Sequence, residues 1–150
     1  MKHFSGIILV LVLVLSAPAA LAQRAECPVG GFSVTLPDHF VEEAVPSGSD
    51  LCFWWHGNKL TVQAYAIYQG EVAEIFEVLT GSETESGYVN TNGMRMFYTV
   101  SEEGGSVVIS YTWMDRGNSV TMEFTYAAND PSVRKTVNSI IGSIRFDAGH

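Results

Sequence analysis

The sequence predicts an α+β domain: an antiparallel β-sheet of about six to seven strands, ending in a four-strand meander and packed by two helices. Three observations predict it. Two-residue turn signals at Asn92-Gly93, Gly104-Gly105 and Gly117-Asn118 divide the second half of the chain into segments of similar length, and such dipeptides tolerate the positive φ that tight hairpin turns need. Between the turns, large apolar residues alternate with smaller or polar ones, the period of a half-buried strand. In two places, 71–79 and 133–144, the apolar spacing changes to that of a helix.

The chain opens on a segment set apart from the domain. Lys2, the apolar run Ile7 to Leu15 and the small-x-small pattern Ala20-Leu21-Ala22 form the three parts of a secretory signal peptide. Cleavage is expected before Gln23, leaving one domain over 23–150. The apolar run is shorter than the roughly 20 residues that span a bilayer, and no other stretch approaches that length. Cys27 follows Arg24-Ala25-Glu26, neighbours unsuited to lipoprotein processing. A secreted or periplasmic protein without stable membrane insertion is therefore expected. In an oxidising compartment Cys27 and Cys52 are expected to form a disulfide, which would contribute on the order of 3 kcal/mol through the unfolded state. No CxxC spacing or flanking base favours a reactive thiol instead.

Ser33 to Leu36 alternates and stops at Pro37, as a first strand would, and Val41 to Val45 reads as a second short one. Pro46 to Asp50 is a polar loop. Leu51 to His56 and Lys59 to Tyr68 are rich in aromatic and β-branched residues, with Gly57-Asn58 between them as a hairpin loop. Val72, Ile75, Phe76 and Leu79 then form one apolar face of a helix over Glu71 to Leu79, and Gly81 ends it.

The turns of the meander set a register. Asn92-Gly93 places Val89 opposite Met96. Gly104-Gly105 places Val100 opposite Ile109, Tyr98 opposite Tyr111 and Met96 opposite Trp113. Gly117-Asn118 places Trp113 opposite Met122, Tyr111 opposite Phe124 and Ile109 opposite Tyr126. These large side chains then share one face, and a one-residue slip would throw a whole strand's set to the other. The opposite face is semi-polar: Thr99, Ser110, Thr112, Thr121, Glu123 and Thr125, interrupted by Phe97, Val108 and Met114. The last helix opens with Asp130 as N-cap and Pro131 at the first helical position. Val133, Val137, Ile140, Ile141 and Ile144 bury it against the sheet.

The ends of the domain resemble those of the PsbP-like family. Gly31-Phe32-Ser33-Val34-Thr35-Leu36-Pro37-Asp38-His39-Phe40 is similar to its strand, proline, aromatic opening, and Ile140-Ile141-Gly142-Ser143-Ile144-Arg145-Phe146 to the end of its terminal helix. The resemblance covers Gly31 to Phe146. It implies a PsbP-like sandwich, an antiparallel sheet packed by helices on both faces, in proteins that mostly bind other macromolecules and share no catalytic apparatus. The matching positions are structural, so no functional residue is carried over.

Charge narrows the partners. Without Lys2, seven basic residues stand against sixteen acidic ones. Nucleic-acid binding needs clustered Lys and Arg to neutralise phosphate, and here they are scattered, so nucleic acid is not an expected partner. Catalytic signatures are sparse. The mature chain has His39, His56 and His150 but neither a GxSxG elbow nor an HExxH pair. His39 with Glu42 and Glu43 reads as an ordinary surface turn more readily than as a chelating group. Catalytic residues, metal and cofactor are each expected to be none.

The aromatic run Phe53-Trp54-Trp55-His56 divides by face. With Gly57-Asn58 as the loop, Trp55 opposes Leu60, Phe53 opposes Val62, Trp54 opposes Thr61, His56 opposes Lys59 and Cys52 opposes Gln63. Trp54, His56, Gln63 and Tyr65 then share the face away from Phe53 and Trp55. They are the candidate ligand-binding residues, since aromatics beside polar groups offer large contact area at low entropic cost. A plain packing role is the competing reading, because a Cys27–Cys52 bridge from that face would lay the N-terminal segment over Trp54. The expected function is an exported, noncatalytic binding or accessory protein for an unknown protein or small-molecule ligand. The alternatives are an extracytoplasmic hydrolase with carboxylate chemistry around Glu123, the one acid placed mid-strand, and a structural module of an envelope or extracellular assembly.

Overall fold

The computed structural model describes residues 22–68 and 85–148. In chain order they form β1 (Gln23–Cys27), β2 (Phe32–Leu36), β3 (Val41–Glu42), β4 (Leu51–His56), β5 (Leu60–Tyr68), β6 (Glu85–Thr91), β7 (Met94–Glu103), β8 (Ser106–Asp115), β9 (Asn118–Ala127), α1 (Val133–Gly142) and β10 (Arg145–Phe146). A seven-stranded antiparallel sheet runs β3-β4-β5-β9-β8-β7-β6, and β1, β2 and β10 form a second, three-stranded sheet. The architecture is thus mostly antiparallel β, with one helix among the described residues. The helix expected over Glu71 to Leu79 and the leader expected before Gln23 lie outside them.

The four-strand meander is present as β6 to β9. Val89 pairs with Met96, Val100 with Ile109 and Tyr98 with Tyr111, as two of the turn signals require. The third turn is corrected by two residues. Its loop is Arg116-Gly117, both at positive φ (49° and 80°), and Asp115 pairs with Asn118. Trp113 therefore faces Val120, Tyr111 faces Met122 and Ile109 faces Phe124. Because side chains alternate with a period of two, this slip leaves every residue on its expected face.

The β4–β5 hairpin shows the same correction. Its loop is Asn58-Lys59: the Gly57 N–H donates to Leu60 O at 2.8 Å, His56 pairs with Thr61, Trp55 with Val62, Trp54 with Gln63 and Phe53 with Ala64. Gly57 is small for a reason other than the turn. A Cβ there would stand 2.7 Å from Phe40 Cζ, so the ring of Phe40 packs directly on its backbone.

One continuous core lies between the large sheet, the small sheet and α1. Met96, Ile109, Trp113, Met122 and Phe124 meet Phe32, Val34 and Leu36 of β2 and Val137, Ile140 and Ile144 of the helical segment, all nearly fully buried. The Trp113 ring stands edge-on to Phe32 at 5.0 Å between centroids and to Phe146 at 6.0 Å. Burying a side chain of this size stabilises by roughly 1.5–3 kcal/mol.

Two side chains fasten the helix end to this core. Ser143 Oγ accepts from the Thr35 N–H at 2.9 Å and donates to Ile140 O at 2.6 Å. Asn92 Nδ2, from the β6–β7 turn, donates to Ile144 O at 2.6 Å.

The N-terminal half and the helix start correct further expectations. β1 was not foreseen: Gln-Arg-Ala-Glu-Cys is polar in type, and its inward side is only Ala25 and Cys27. Cys27 and Cys52 are joined by a disulfide, but the register breaks between Leu51 and Phe53, so Cys52 is a bulge residue that departs from the alternation. Cys27 belongs to the buried core and Cys52 packs against it. The N-terminal segment accordingly lies on the core face and not over Trp54. The expected strand Val41 to Val45 is limited to Val41–Glu42. At the last helix Ser132, not Asp130, is the N-cap. Asp130 is engaged by Lys59 at 2.6 Å and by the Ser132 hydroxyl, and Val133 and Arg134 donate to Asp130 O and Pro131 O through a turn preceding the helix.

Candidate functional site

The second face of the large sheet carries the sequence-predicted residues. Trp54, Gln63, Glu123, Ser110 and Thr99 stand in one cross-strand row, each paired with the next. On one side of it run His56, Thr61, Thr125 and Val108. On the other run Tyr65, Thr121, Thr112, Phe97 and Tyr88. Adjacent strands lie about 4.8 Å apart, so neighbours within a row touch across the sheet.

Trp54, His56, Gln63 and Tyr65 are all half-buried on this face, while Phe53 and Trp55 are buried on the other. The Trp54 and His56 rings lie 5.2 Å apart at a tilt of 52°. Tyr65 Oη donates to Gln63 Oε1 at 2.7 Å, which leaves the Gln63 amide nitrogen as a donor and the phenol oxygen as an acceptor. His56 Nδ1 is 3.2 Å from Thr61 Oγ1, and its Nε2 is 3.6 Å from Glu43 Oε1. That last neighbour was missed in the sequence, because Glu43 reaches His56 only through the pairing of β3 with β4.

The electrostatics centre on Glu123. Burial raises its pKa above the ordinary carboxylate value. Burial first, and the charge of Glu123 second, raise that of Tyr65. Among the described residues no hydrogen bond or ion pair reaches the Glu123 carboxylate. The indole N–H of Trp54 is likewise buried without an acceptor. Thr112 and Thr121 satisfy each other, hydroxyl to hydroxyl, at 3.0 Å.

His39 does not join Glu42 and Glu43. Its Nδ1 lies 3.8 Å from Asp38 Oδ1, and among the described residues no three His, Cys, Asp or Glu side chains are grouped to hold a metal. His39 instead borders a cavity of about 280 Å³ with Pro37, Phe40, Lys59, Leu60 and Val133. Sequence reasoning missed it, since its walls come from a loop, a hairpin tip and a helix start far apart in the chain. No helix among the described residues is long and apolar enough to cross a membrane.

Comparison with known proteins bears on the fold. No family model matches the chain, and no curated protein matches it. Solved structures do. The solution structure of cyanobacterial PsbP (CyanoP) from Synechocystis sp. PCC 6803 matches 87% of this chain and 95% of its own, with TM-score 0.65 at 9% identity. A crystal structure from Bacteroides thetaiotaomicron matches 85% of this chain with TM-score 0.62 at 12% identity, and the chain spans about half (49%) of its length. A Mog1 mutant matches 85% of this chain and 97% of its own, with TM-score 0.51 at 10% identity. At such identities the likeness speaks for architecture and not for activity: the fold of this chain is PsbP-like.

Proposed function

We propose that this chain is an exported, noncatalytic binding protein that takes up its ligand on the half-buried sheet face around Trp54, His56, Gln63 and Tyr65. The observation that carries the reading is the pairing of Trp54 with Gln63, with Tyr65 holding the Gln63 amide by a hydrogen bond. The aromatic surface and the polar donor are thereby oriented before any ligand arrives, which lowers the ordering cost of binding. Export is supported by the Cys27–Cys52 disulfide, a bond that persists in oxidising compartments, and by the signal-peptide pattern before Gln23.

The test is a nuclear magnetic resonance titration of ¹⁵N-labelled protein with a panel of amines, neutral sugars and peptides. Shifts gathered at the Trp54 indole and the Gln63 side-chain amide, and lost in Trp54→Ala, are expected. Shifts gathered instead around Phe40 and Lys59 would move the site to the cavity and overturn the assignment.

The competing hydrolase reading draws on one observation, the raised pKa of Glu123, since a general acid must hold its proton near the working pH. Turnover of any extracytoplasmic substrate that disappears in Glu123→Gln would favour it over simple binding.

A further inference from the structure

We infer that the ligand of this face presents an alkylammonium or guanidinium group, with Glu123 as its counter-ion and Tyr65 and Trp54 as the aromatic surfaces beside it. The inference rests on the binding reading above and adds the chemistry of the ligand and a residue that does the recognising.

The unmet polar capacity of the face is mainly acceptor. Glu123 sits mid-strand between Gln63 of β5 and Ser110 of β8, half-buried, with no hydrogen bond or ion pair among the described residues. The Tyr65 phenol donates its one hydrogen bond to Gln63 Oε1. The buried Trp54 indole N–H is out of a ligand's reach, so the ring offers its π surface alone. A carboxylate drawn out of water without a counter-charge is costly, and a cation delivered to it is attracted far more strongly than at an exposed acid.

Among the described residues, three of the protein's own cations are engaged elsewhere. Arg24 pairs with Glu26, Lys59 with Asp130 and Arg134 with Glu85. Arg95 shows how this same sheet face holds a guanidinium: its Cζ lies 4.1 Å from the centre of the Tyr88 ring, a cation–π contact. Trp54 and Glu123 stand two strands apart in one row, about 10 Å, with Gln63 between. That span suits an extended alkyl cation whose charge rests at Glu123 and whose stem lies towards Trp54. The formal net charge of −8 draws such a ligand in and repels anions.

Two sources share this chemistry, a free polyamine and the lysine or arginine side chain of a polypeptide. The experiment titrates ¹⁵N-labelled protein in separate arms with spermidine, with Nα-acetyl-lysine methylamide and with the neutral sugar maltose. A saturating shift of the Trp54 indole and Gln63 amide signals is expected with a cationic probe, and tighter binding of spermidine or of the lysine derivative identifies the source. Glu123→Gln is expected to weaken binding at least tenfold while its other amide signals stay dispersed. In the parent the affinity falls about tenfold per pH unit below the pKa of Glu123, and in the variant it stays flat over that range. The other titratable groups near this carboxylate are Tyr65 on β5 and, two strands away, His56 beside Glu43; β8 offers it only hydroxyls.

Equal affinity in parent and Glu123→Gln, or shifts scattered over the acidic surface, would overturn the inference. If maltose perturbs the face and neither cation does, the cationic assignment falls while the binding reading stands. If no probe of any class reaches the face, both fall together.

Discussion

The ring of Phe40 lies on the backbone of Gly57, close enough that a side chain at that position would need the space of Phe40 Cζ, 2.7 Å away. Phe40 is almost fully buried and Gly57 begins the turn out of β4, so this contact sets how the β2–β3 connection seats against the hairpin. Gly57→Ala must displace an aromatic ring. It is expected to destabilise by about 1–3 kcal/mol, read as a lower midpoint in urea unfolding, and to perturb the cavity bordered by His39, Phe40 and Lys59.

Asn92 does two things at once. It adopts positive φ (50°) at the first position of the β6–β7 turn and donates its side-chain amide to Ile144 O beyond the helix. Asn92→Gly keeps the conformation and loses the hydrogen bond, at an expected cost of about 1 kcal/mol. Asn92→Ala loses both and is expected to cost more. Chemical denaturation of the pair against the parent separates the two contributions, and equal costs would show that backbone conformation is irrelevant there.

The Cys27–Cys52 bridge closes a loop of 25 residues that contains β2, β3 and the Pro46 to Asp50 loop. The double variant Cys27→Ala, Cys52→Ala is expected to lose on the order of 3 kcal/mol, seen as a fall in melting temperature. Reduction of the parent with dithiothreitol should lower it similarly.

Glu123 gives a pH dependence with a definite sign. Its folded-state pKa is raised by burial, so the folded protein binds this proton more tightly than the unfolded chain. The stabilisation from this group is complete below the ordinary carboxylate range and is lost as pH rises through the raised folded value. Glu123→Gln should therefore melt above the parent at neutral pH, with the two curves converging below about pH 4. A variant that melts lower at pH 7 would show that the carboxylate is satisfied by a partner. A gain in stability together with a loss of cation binding is the trade expected of a binding residue.

Asp130 behaves in the opposite sense. Its hydrogen bond from Lys59 and then that from Ser132 lower its pKa. The stabilisation is present above the unfolded value and disappears as pH falls through the lowered folded one. Lys59→Met should lower the melting temperature slightly near pH 7, the loss being small because the lysine is well exposed, and the two profiles should meet at low pH, which flattens the acid limb of the variant.

Much of this arrangement was legible because strand alternation survives errors of two. The sequence places both Gly117-Asn118 and Gly57-Asn58 in the loops, whereas Arg116-Gly117 and Asn58-Lys59 occupy them. Each slip changes partners but leaves faces intact, so the apolar core and the grouping of Trp54, His56, Gln63 and Tyr65 are both readable. What escaped has local causes. Arg116 at positive φ carries no turn signature. Gly57 is held to a small residue by its contact with the Phe40 ring, not by the dihedral its neighbours suggest. The bulge at Cys52 and the small inward side of β1 leave no periodic trace, and the nearness of Glu43 to His56 exists only once β3 is laid against β4.

The two-residue strand β3 closes one margin of the seven-stranded sheet. A margin that short, followed by Glu43 and then by Pro46, which has no N–H to give, offers an intruding chain almost no rungs to copy. Crowding of many molecules should therefore leave this border inert, and the protein can display a wide sheet without inviting fibres from that side.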